Sequence, residues 1–410
     1  MRCNILHSRQ NVGGVRLAGR NYKFLLSQSS LKMKKTLAAL AVLSTFAGAA
    51  FAADVTVYGL VDLGLNYVHN DDGVNDATDK FTMNSGTNSG SRFGLKGEED
   101  LGNGIKVGFV LENGFNADDG TLGQSDRLFG REAQLYVQSQ YGTLAFGRMS
   151  MLSLDAGSYG LGGNLSSFGT GWGSYIGSQA LVFATSAGRA DNMITYKSPT
   201  MYGVTVYGQY SFQVNTQSDN KALEKEGKTT AERYGSLGAT YEYGGFGLTG
   251  IFEYTDKANN ANTAGHGKDT MAFTLGASYD CGFAKTYIAG QYFKDASWIG
   301  GSDARDEFGI DLSKTINGKK YLANDIDGYG IVVSTSIPVW GGDALATVGY
   351  MDADSDKTNK EVTRWMVGAG YQYPLSKRTL IYGGAGYLQD KVDNTSPSLV
   401  EVVAGMKHTF

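Results

Sequence analysis

The sequence predicts an all-β protein, a transmembrane up-and-down antiparallel β-barrel of about sixteen strands. The chain contains 58 Gly and only 4 Pro, together with 25 Tyr and 19 Phe. Clusters of Gly, Asn and Asp separate short segments in which apolar and polar residues alternate, as in β proteins. The connections between these segments are alternately short and long, which is typical of a meander with two unlike ends.

The N-terminal region is typical of an export signal. A basic start, Met33-Lys34-Lys35, precedes an apolar run over Leu37–Gly48 and a small-residue cleavage site of sequence Ala-Phe-Ala. A membrane helix is the weaker alternative, because the run is short and a polar strand follows it. We therefore interpret residues 33–52 as a secretory signal peptide, 53–410 as one exported domain, and 1–32 as an upstream extension ahead of the true start at Met33.

Charge and cysteine content exclude several classes of function. Residues 1–52 hold 8 of the 36 Lys and Arg residues and none of the 40 acidic ones, so the exported chain keeps 28 basic against 40 acidic residues. Such a chain offers no basic surface for nucleic acid, and we predict no nucleic-acid partner. Only Cys281 remains after cleavage, so no disulfide framework, metal site or cofactor is predicted.

The first predicted strand, Val55–Tyr67, shows the alternation on which the fold prediction depends. Val57 and Leu63 lie on an apolar face, whereas Asp62 and Asn66 lie on the other, as a period of two requires. About sixteen segments of this kind occur, each near the roughly ten residues that a tilted membrane strand needs. They are 55–67, 90–99, 105–116, 131–140, 143–149, 191–198, 204–213, 232–243, 246–256, 270–280, 284–295, 328–338, 343–353, 364–374, 378–390 and 398–410.

The connections between these strands fall into two sets that alternate along the chain. The short set is 100–104, 141–142, 199–203, 244–245, 281–283, 339–342 and 374–377. The long set is 69–89, 116–130, 150–188, 215–231, 257–269, 296–327, 354–363 and 391–397. Membrane barrels show this arrangement, with short periplasmic turns and long outer loops.

The alternation alone does not say which face is buried. In a soluble sandwich the apolar face forms the core, whereas in a membrane barrel it contacts lipid and the mixed face lines a wet lumen. Aromatic residues near strand ends, such as Tyr67 and Trp340, favour the barrel, as do the even strand number and the export signal. Glycines also recur within the strands, and we interpret them as bend points of a curved wall, shielded by aromatic neighbours. These are Gly59, Gly64, Gly94, Gly208, Gly368, Gly370, Gly383 and Gly386.

The last segment, Ser398–Phe410, alternates up to the final aromatic residue. In a closed sheet this strand pairs with the first strand, which leaves no edge exposed. We therefore predict that Phe410 lies on the outward face, at the rim formed by the short turns and within an aromatic belt.

Several motifs resemble those of the general porins of the Gram-negative outer membrane, of the betaproteobacterial type. They include DVTVYGLVDLGLNY at 54–67, SGSRFGLKGEEDLGNGIKVGFVLENGF at 89–115, RADNMITYKSPTMYGVTVYGQY at 189–210 and the terminal GMKHTF. The resemblance extends over 53–410 and implies a homotrimeric barrel of about sixteen strands, through which small hydrophilic solutes and ions diffuse passively. It also implies contact with outer-membrane lipid and lipopolysaccharide, a third loop folded into the pore, and recognition of Phe410 by the outer-membrane assembly machinery.

The third long connection, Ser150–Gly188, has an unusual composition for a solvent loop. Asp155 is its only acidic residue, and it contains several aromatic residues, among them Phe168, Trp172 and Tyr175. A disordered loop is charged and poor in aromatics, so this one is better suited to packing against a wall. We predict a constriction loop inside the lumen, and the alternative is an ordinary loop packed on top of the barrel.

Charged side chains around a constriction set the selectivity of a pore. The predicted inward bases are Arg92, Lys96, Lys106 and Lys197, and the predicted inward acids are Asp62, Glu112 and Glu132. Arg131 and Arg148 match basic positions of porins, but their alternation groups them with the apolar set, so a bulge or an interface position is the alternative. Porins often place several acids on the third loop, whereas here Asp155 stands alone. A basic wall below acidic outer loops leaves the ion preference open, with anions weakly favoured.

Two other classes of function remain as alternatives. An outer-membrane barrel enzyme, such as a protease or phospholipase, needs His with Asp or Ser near the barrel top. The exported chain has only His69, His266 and His408, and no G-x-S-x-G motif. A surface adhesin would carry a dry apolar core instead of a wet lumen. We therefore predict that the protein is a channel of the outer membrane and has no catalytic residues.

Overall fold

The computed structural model describes residues 55–73, 75–184, 188–217, 226–257, 268–296, 299, 314–316, 319–321, 326–355, 359–392 and 394–410. The predicted signal peptide, the extension before it and His266 lie outside these residues. No helix among the residues just given is long and apolar enough to cross a membrane.

Strands account for most of the regular structure that is described. In chain order they are β1 Thr56–Asp71, β2 Thr78–Ser85, β3 Arg92–Gly102, β4 Ile105–Gly114, β5 Glu132–Ser139, β6 Gly142–Ser150, β7 Arg189–Lys197, β8 Val204–Ser211, β9 Arg233–Tyr243, β10 Phe246–Asp256, β11 Thr270–Asp280, β12 Lys285–Ala296, β13 Lys314–Ile316, β14 Lys319–Tyr321, β15 Ile326–Val339, β16 Gly342–Ser355, β17 Lys360–Pro374, β18 Thr379–Val392 and β19 Ser398–Thr409. A left-handed turn covers Gly123–Asp126, where Gln124, Ser125 and Asp126 have positive φ, and two 3-10 turns cover Gly162–Asn164 and Gln179–Leu181.

All strands except β13 and β14 form one antiparallel sheet that closes on itself. β1 pairs with β19 from Leu60 opposite Thr409 to Asp71 opposite Ser398, and this pairing is the seam of the barrel. β13 and β14 form a separate hairpin. Since the sheet closes through this seam, the fold is the predicted up-and-down antiparallel barrel.

The second position in the wall is occupied by two strands in succession. β2 pairs with residues 63–70 of β1, and β3 pairs with residues 56–60. Residues Gly86–Ser91 leave the wall between them, and we call this stretch the inner segment. The prediction of an uninterrupted loop over 69–89 was therefore wrong at β2. The other predicted strands are confirmed, with small shifts at their ends.

The two faces of the wall have the predicted orientation. Outward apolar side chains remain exposed on the isolated chain, for example Leu237 at 64% and Ile288 at 54%. Their strand neighbours Ser236 and Ala289 point inward and are buried. Since the apolar set forms no dry core between two sheets, the soluble sandwich is excluded. The exposed apolar face is the one that lipid covers in a membrane barrel.

Some wall glycines lie beneath aromatic rings, as predicted. Tyr58 stands directly opposite Gly94 and Tyr136 directly opposite Gly108. Each tyrosine ring occupies the space that a Cβ on its glycine would need. The pairs fill the inner wall near the short turns, and they leave the backbone free to bend there.

Candidate pore constriction

The third loop, which follows β6, folds into the lumen and packs against the inner wall. Leu181, Val182 and Phe183 are buried in one hydrophobic cluster with Met351 and Leu388 of the wall. Trp172 packs edge-on against Tyr382 at a ring-centroid distance of 5.7 Å. The aromatic content of the loop therefore has the predicted cause, since these side chains replace water on part of the inner wall.

A row of glycines in the wall makes room for this loop. A Cβ on Gly330 would overlap the carbonyl oxygen of Val182, and one on Gly368 would overlap that of Ile176. A Cβ on Gly386 would lie 2.6 Å from the carbonyl oxygen of Tyr175. The prediction of bend points is therefore incomplete, because at Gly368 and Gly386 the missing side chain lets the loop backbone approach the wall.

Three buried carboxylates of the wall accept hydrogen bonds from the loop. Glu401 accepts from the backbone nitrogens of Ser174 at 3.1 Å and Tyr175 at 2.5 Å. Glu132 accepts from the backbone nitrogen of Ser158 at 2.7 Å and from its hydroxyl at 2.8 Å. Glu253 accepts from the Ser153 hydroxyl at 2.8 Å. Charge-assisted bonds of this kind are stronger than neutral ones, so the wall supplies the charge that holds the loop.

Tyr159 of the loop lies close to one of these carboxylates. Burial, together with the negative charge of Glu132, raises the pKa of the Tyr159 phenol above its ordinary value. The phenol therefore stays uncharged at neutral pH and adds no negative charge to the lumen.

A buried ion pair holds the returning half of the loop. Arg364 of β17 binds Asp390 of β18 through two bonds, Nε to Oδ1 at 2.6 Å and Nη2 to Oδ2 at 2.7 Å. Its Nη1 donates to the carbonyl oxygen of Leu181 at 2.8 Å. Both charged side chains are completely buried, so these bonds replace the hydration that burial removes.

The edge of the loop carries its single acid toward the open part of the lumen. Asp155 accepts hydrogen bonds from the Thr170 backbone nitrogen at 2.7 Å and from the Thr170 hydroxyl. It is nonetheless exposed, and it interacts electrostatically with Arg92. The passage between Asp155 and the wall that carries Arg92 is the candidate constriction, which we call the eyelet.

Arg92 and Arg131 lie together on the wall at the eyelet. Arg131 donates from Nε to Glu112 Oε1 at 2.6 Å, and Arg92 Nη1 lies 4.0 Å from the same oxygen. Arg131 points inward just before β5 begins, although its alternation groups it with the apolar face. Glu112 and Glu132, which are buried, point inward as predicted. Here two guanidinium groups share one carboxylate.

A bulge resolves the ambiguous position of Arg148. The pairing of β6 with β7 slips between Gly147 and Met149. Arg148 then donates from Nη1 to Asp191 at 2.6 Å, and Arg127 also binds Asp191 at 3.0 Å. The bulge was one of the two alternatives offered by the sequence, because a one-residue slip reverses the facing of a side chain.

Arg189, the first residue of β7, is a basic residue of the eyelet that sequence reasoning missed. Its charge interacts with those of Arg131 and Arg148 and with the carboxylates of Glu112 and Glu132. Its Nε is buried and has no hydrogen-bond partner in the part of the chain that is described. The start of β7 fixes its position at the end of the third loop. If the inward–outward alternation of the strand predicted over 191–198 is continued two residues upstream, Arg189 falls on the inward face.

The three predicted inward lysines lie closer to the short turns. Lys106 is the second residue of β4 and binds Glu98 at 2.6 Å. Lys197 is the last residue of β7, with its Nζ 5.7 Å from the ring centroid of Tyr207. Lys96 stands opposite Thr56 with its Nζ 5.5 Å from the ring centroid of Tyr58. They belong to the vestibule on the short-turn side of the eyelet.

Asp62 points inward as predicted but has no exposed surface. Its carboxylate accepts from the backbone nitrogens of Asn88 at 3.1 Å and Ser89 at 2.7 Å, and from the Tyr382 hydroxyl at 2.5 Å. A side chain whose oxygens are used in this way cannot contact a passing solute. Asp62 therefore does not line the open lumen.

The possible catalytic groups lie elsewhere. His69 Nδ1 and Asp79 Oδ1 are 2.8 Å apart, and the Tyr67 hydroxyl donates to the same oxygen at 2.7 Å. All three are on the outward face and exposed to solvent. His408 contacts the Thr379 hydroxyl. Over the described ranges, no group of three His, Cys, Asp or Glu side chains could hold a metal ion.

Comparisons with known proteins agree with this architecture. The family model for Gram-negative porins matches residues 38–394. An outer membrane porin protein of Bordetella pertussis is 32% identical over 92% of this chain and 100% of its own length. Outer membrane porin protein 32 of Delftia acidovorans is 29% identical over 88% of this chain and 92% of its own length.

Solved structures show the same fold. The anion-selective porin from Comamonas acidovorans is 24% identical, with a TM-score of 0.64 over 87% of this chain and 100% of its own. The trimer form of OmpT from Vibrio cholerae is 15% identical, with a TM-score of 0.60 over 88% of this chain and 100% of its own. At these identities the likeness concerns the fold.

Proposed function

The chain belongs to the Gram-negative porin family, and we propose that its eyelet passes small hydrophilic solutes with a preference for anions. As a member of this family it is an outer-membrane porin, a passive diffusion channel. The finer assignment concerns which side chains select the solute. It names Arg92, Arg131, Arg148 and Arg189 as the basic wall and Asp155 as the opposing acid.

One observation carries the anion preference: the buried carboxylates of the wall are engaged, whereas part of the basic charge is not, and the exposed acid that opposes it is Asp155 of the loop. Glu112 is buried beneath two guanidinium groups, and Glu132 and Glu401 are buried under the third loop. Arg92 keeps 19% of its side chain exposed, and Arg189 has a nitrogen without a partner among the described residues. A pore lined by cationic groups attracts anions.

The test is the reversal potential of the purified protein in a planar bilayer under a salt gradient. We expect the sign that indicates anion flux, and a weaker preference at high salt because screening shortens the reach of the wall charges. A reversal potential of the opposite sign would reject the proposed preference. A folded protein that gives no conductance would count against the channel itself.

We also propose a homotrimer, with Phe410 as the residue recognised by the assembly machinery and with lipopolysaccharide among the surrounding lipids. The outer face of β2 supports an interface, since Phe81 and Met83 are 69% and 56% exposed on the single chain. Large apolar surface of this kind needs lipid or another subunit to cover it. Conductance steps that appear in groups of three would support the trimer, and single steps would contradict it.

We infer that the chain has no enzymatic activity. The pair of His69 and Asp79 is the arrangement nearest to a catalytic one, and the third group hydrogen-bonded to it is the phenol of Tyr67, which is not the serine or cysteine nucleophile of a hydrolase. It also lies on the outer face, away from the eyelet. Both observations favour a channel over a barrel hydrolase.

A further inference from the structure

The inner segment, Gly86–Ser91, is a stretch of small polar residues buried inside the barrel. Thr87 and Asn88 are 6% and 8% exposed. Gly86 adopts a φ of +74°, which turns the chain out of the wall. The stretch has no apolar side chain to bury, so hydrophobic burial does not explain its position. Hydrogen bonds must fix it.

Asp62 of β1 supplies several of these bonds. Its carboxylate accepts from the backbone nitrogens of Asn88 and Ser89. Its carbonyl oxygen accepts from the backbone nitrogen of Gly86 at 2.9 Å and from the Ser91 hydroxyl at 3.1 Å. One wall residue therefore binds both ends and the middle of the segment.

Lys407 of β19 holds the same segment from the other side of the seam. Its Nζ donates to Asn88 Oδ1 at 2.6 Å and to the Ser89 hydroxyl at 3.1 Å. Lys407 stands directly opposite Asp62 in the pairing of β19 with β1. The two residues form a clamp that exists only where the first and last strands meet.

The segment in turn contacts both sides of the eyelet. The Thr87 carbonyl oxygen accepts from the backbone nitrogen of Gly173, at the tip of the third loop, at 2.6 Å. The Gly90 carbonyl oxygen accepts from Nε of Arg92 at 2.9 Å. The carbonyl groups of Thr87 and Gly90, three residues apart, thus bind the loop tip and the guanidinium of Arg92.

We propose that Asp62 and Lys407 are positioning residues that act through the inner segment and fix the separation between the tip of the third loop and Arg92. Neither residue needs to touch the solute. The inference rests on the proposed function only in that the eyelet limits conductance. Closing the seam then builds the clamp, and the clamp completes the eyelet.

The test uses two folded variants with opposite changes of charge, Asp62→Asn and Lys407→Met, in planar bilayers. If the residues position the eyelet, both variants lose the single conductance level of the native channel. Both also shift the reversal potential toward zero, because Arg92 is no longer held in place. If they acted by charge alone, the two variants would shift the reversal potential in opposite directions, and that outcome would overturn the proposal. Native conductance and native reversal potential in both variants would overturn it as well.

Controls separate the clamp from stability and from the channel assignment. Asp295→Asn changes another buried carboxylate of the wall, which is paired with Lys268 at 2.9 Å and is not one of the carboxylates that hold the third loop, so it should keep the native level. Lys407→Arg should recover much of the native conductance that Lys407→Met loses, since a guanidinium can donate to the same oxygens. Asn88→Ala removes one of the two acceptors of Lys407, together with the bond that the Ser89 hydroxyl donates to Asn88, and it serves if the stronger variants do not fold. A native protein that conducts while the variants behave normally would reject only the clamp, whereas a silent native protein would reject the channel.

Discussion

Phe410, the last residue of the chain, and Gly59 of β1 exchange both of their backbone hydrogen bonds. Gly59 donates to Phe410 over 3.2 Å, and Phe410 donates to Gly59 over 3.0 Å. The Phe410 ring lies over Gly59 and occupies the space that a Cβ there would need. The seam of the barrel therefore ends on an aromatic residue packed against a glycine.

Phe410→Ala should lower the fraction of folded barrels in the outer membrane. The substitution removes the ring that covers Gly59 and the terminal aromatic residue that we assign to assembly. Gly59→Ala should give a similar loss, because its methyl group would displace the ring, at a cost of about 1–3 kcal/mol. The measurement compares folded and unfolded bands of outer-membrane fractions on gels run without heating.

Met406→Ala is the matched control for the terminal residue. Met406 lies on the same face of β19 and is 52% exposed, close to the 48% of Phe410. Both substitutions remove outward apolar surface, but only Phe410→Ala removes the ring that packs against Gly59. Equal losses in the two variants would mean that Phe410 acts as ordinary lipid-facing surface.

The sequence was sufficient for the barrel because the alternation of apolar and polar residues repeats in every strand. It was less informative at the eyelet, where contacts depend on the path of the third loop. Alternation placed Asp62 inward but could not show that the inner segment uses its oxygens. It left the facing of Arg148 open, because a period of two does not show where a one-residue bulge occurs. The ion pair of Arg364 with Asp390 depends on the strand register, which places the two residues directly opposite each other and which alternation does not give.

Gly368→Ala should move the third loop away from the wall. The added methyl would overlap the Ile176 carbonyl oxygen, and overpacking of this kind costs about 1–3 kcal/mol. We expect a change in single-channel conductance together with easier proteolysis of the loop. Gly208→Ala is the control, because the nearest atom to its added methyl is 3.7 Å away. Native conductance in Gly368→Ala would show that the loop does not need this space.

Arg364→Met should destabilise the barrel by about 3–5 kcal/mol, because it leaves Asp390 charged and buried without its partner. The double variant Arg364→Met/Asp390→Leu should recover much of that stability, since no buried charge remains. Urea unfolding in detergent measures both. The Leu181 carbonyl stays unbonded in the double variant, so its conductance should remain altered although its stability returns. Failure of the double variant to recover would mean that packing, and not the unpaired charge, dominates.

Arg92→Glu should shift the ion preference toward cations. The substitution reverses a partly exposed charge on the eyelet wall and places a second carboxylate beside Glu112, which already lies 4.0 Å from the native guanidinium. The reversal potential under a salt gradient measures the shift, which should be largest at low salt, where the Debye length reaches about 30 Å at 0.01 M.

Lys106→Glu provides the comparison that locates the effect. It makes the same change of charge on the same inner wall, but at the second residue of β4, beside a short turn. Because Glu98 already binds Lys106 at 2.6 Å and both side chains are partly exposed, water and salt screen much of the change. We therefore expect a smaller shift than in Arg92→Glu. Equal shifts would mean that the whole inner wall sets the ion preference, and an unchanged potential in Arg92→Glu would remove Arg92 from the eyelet.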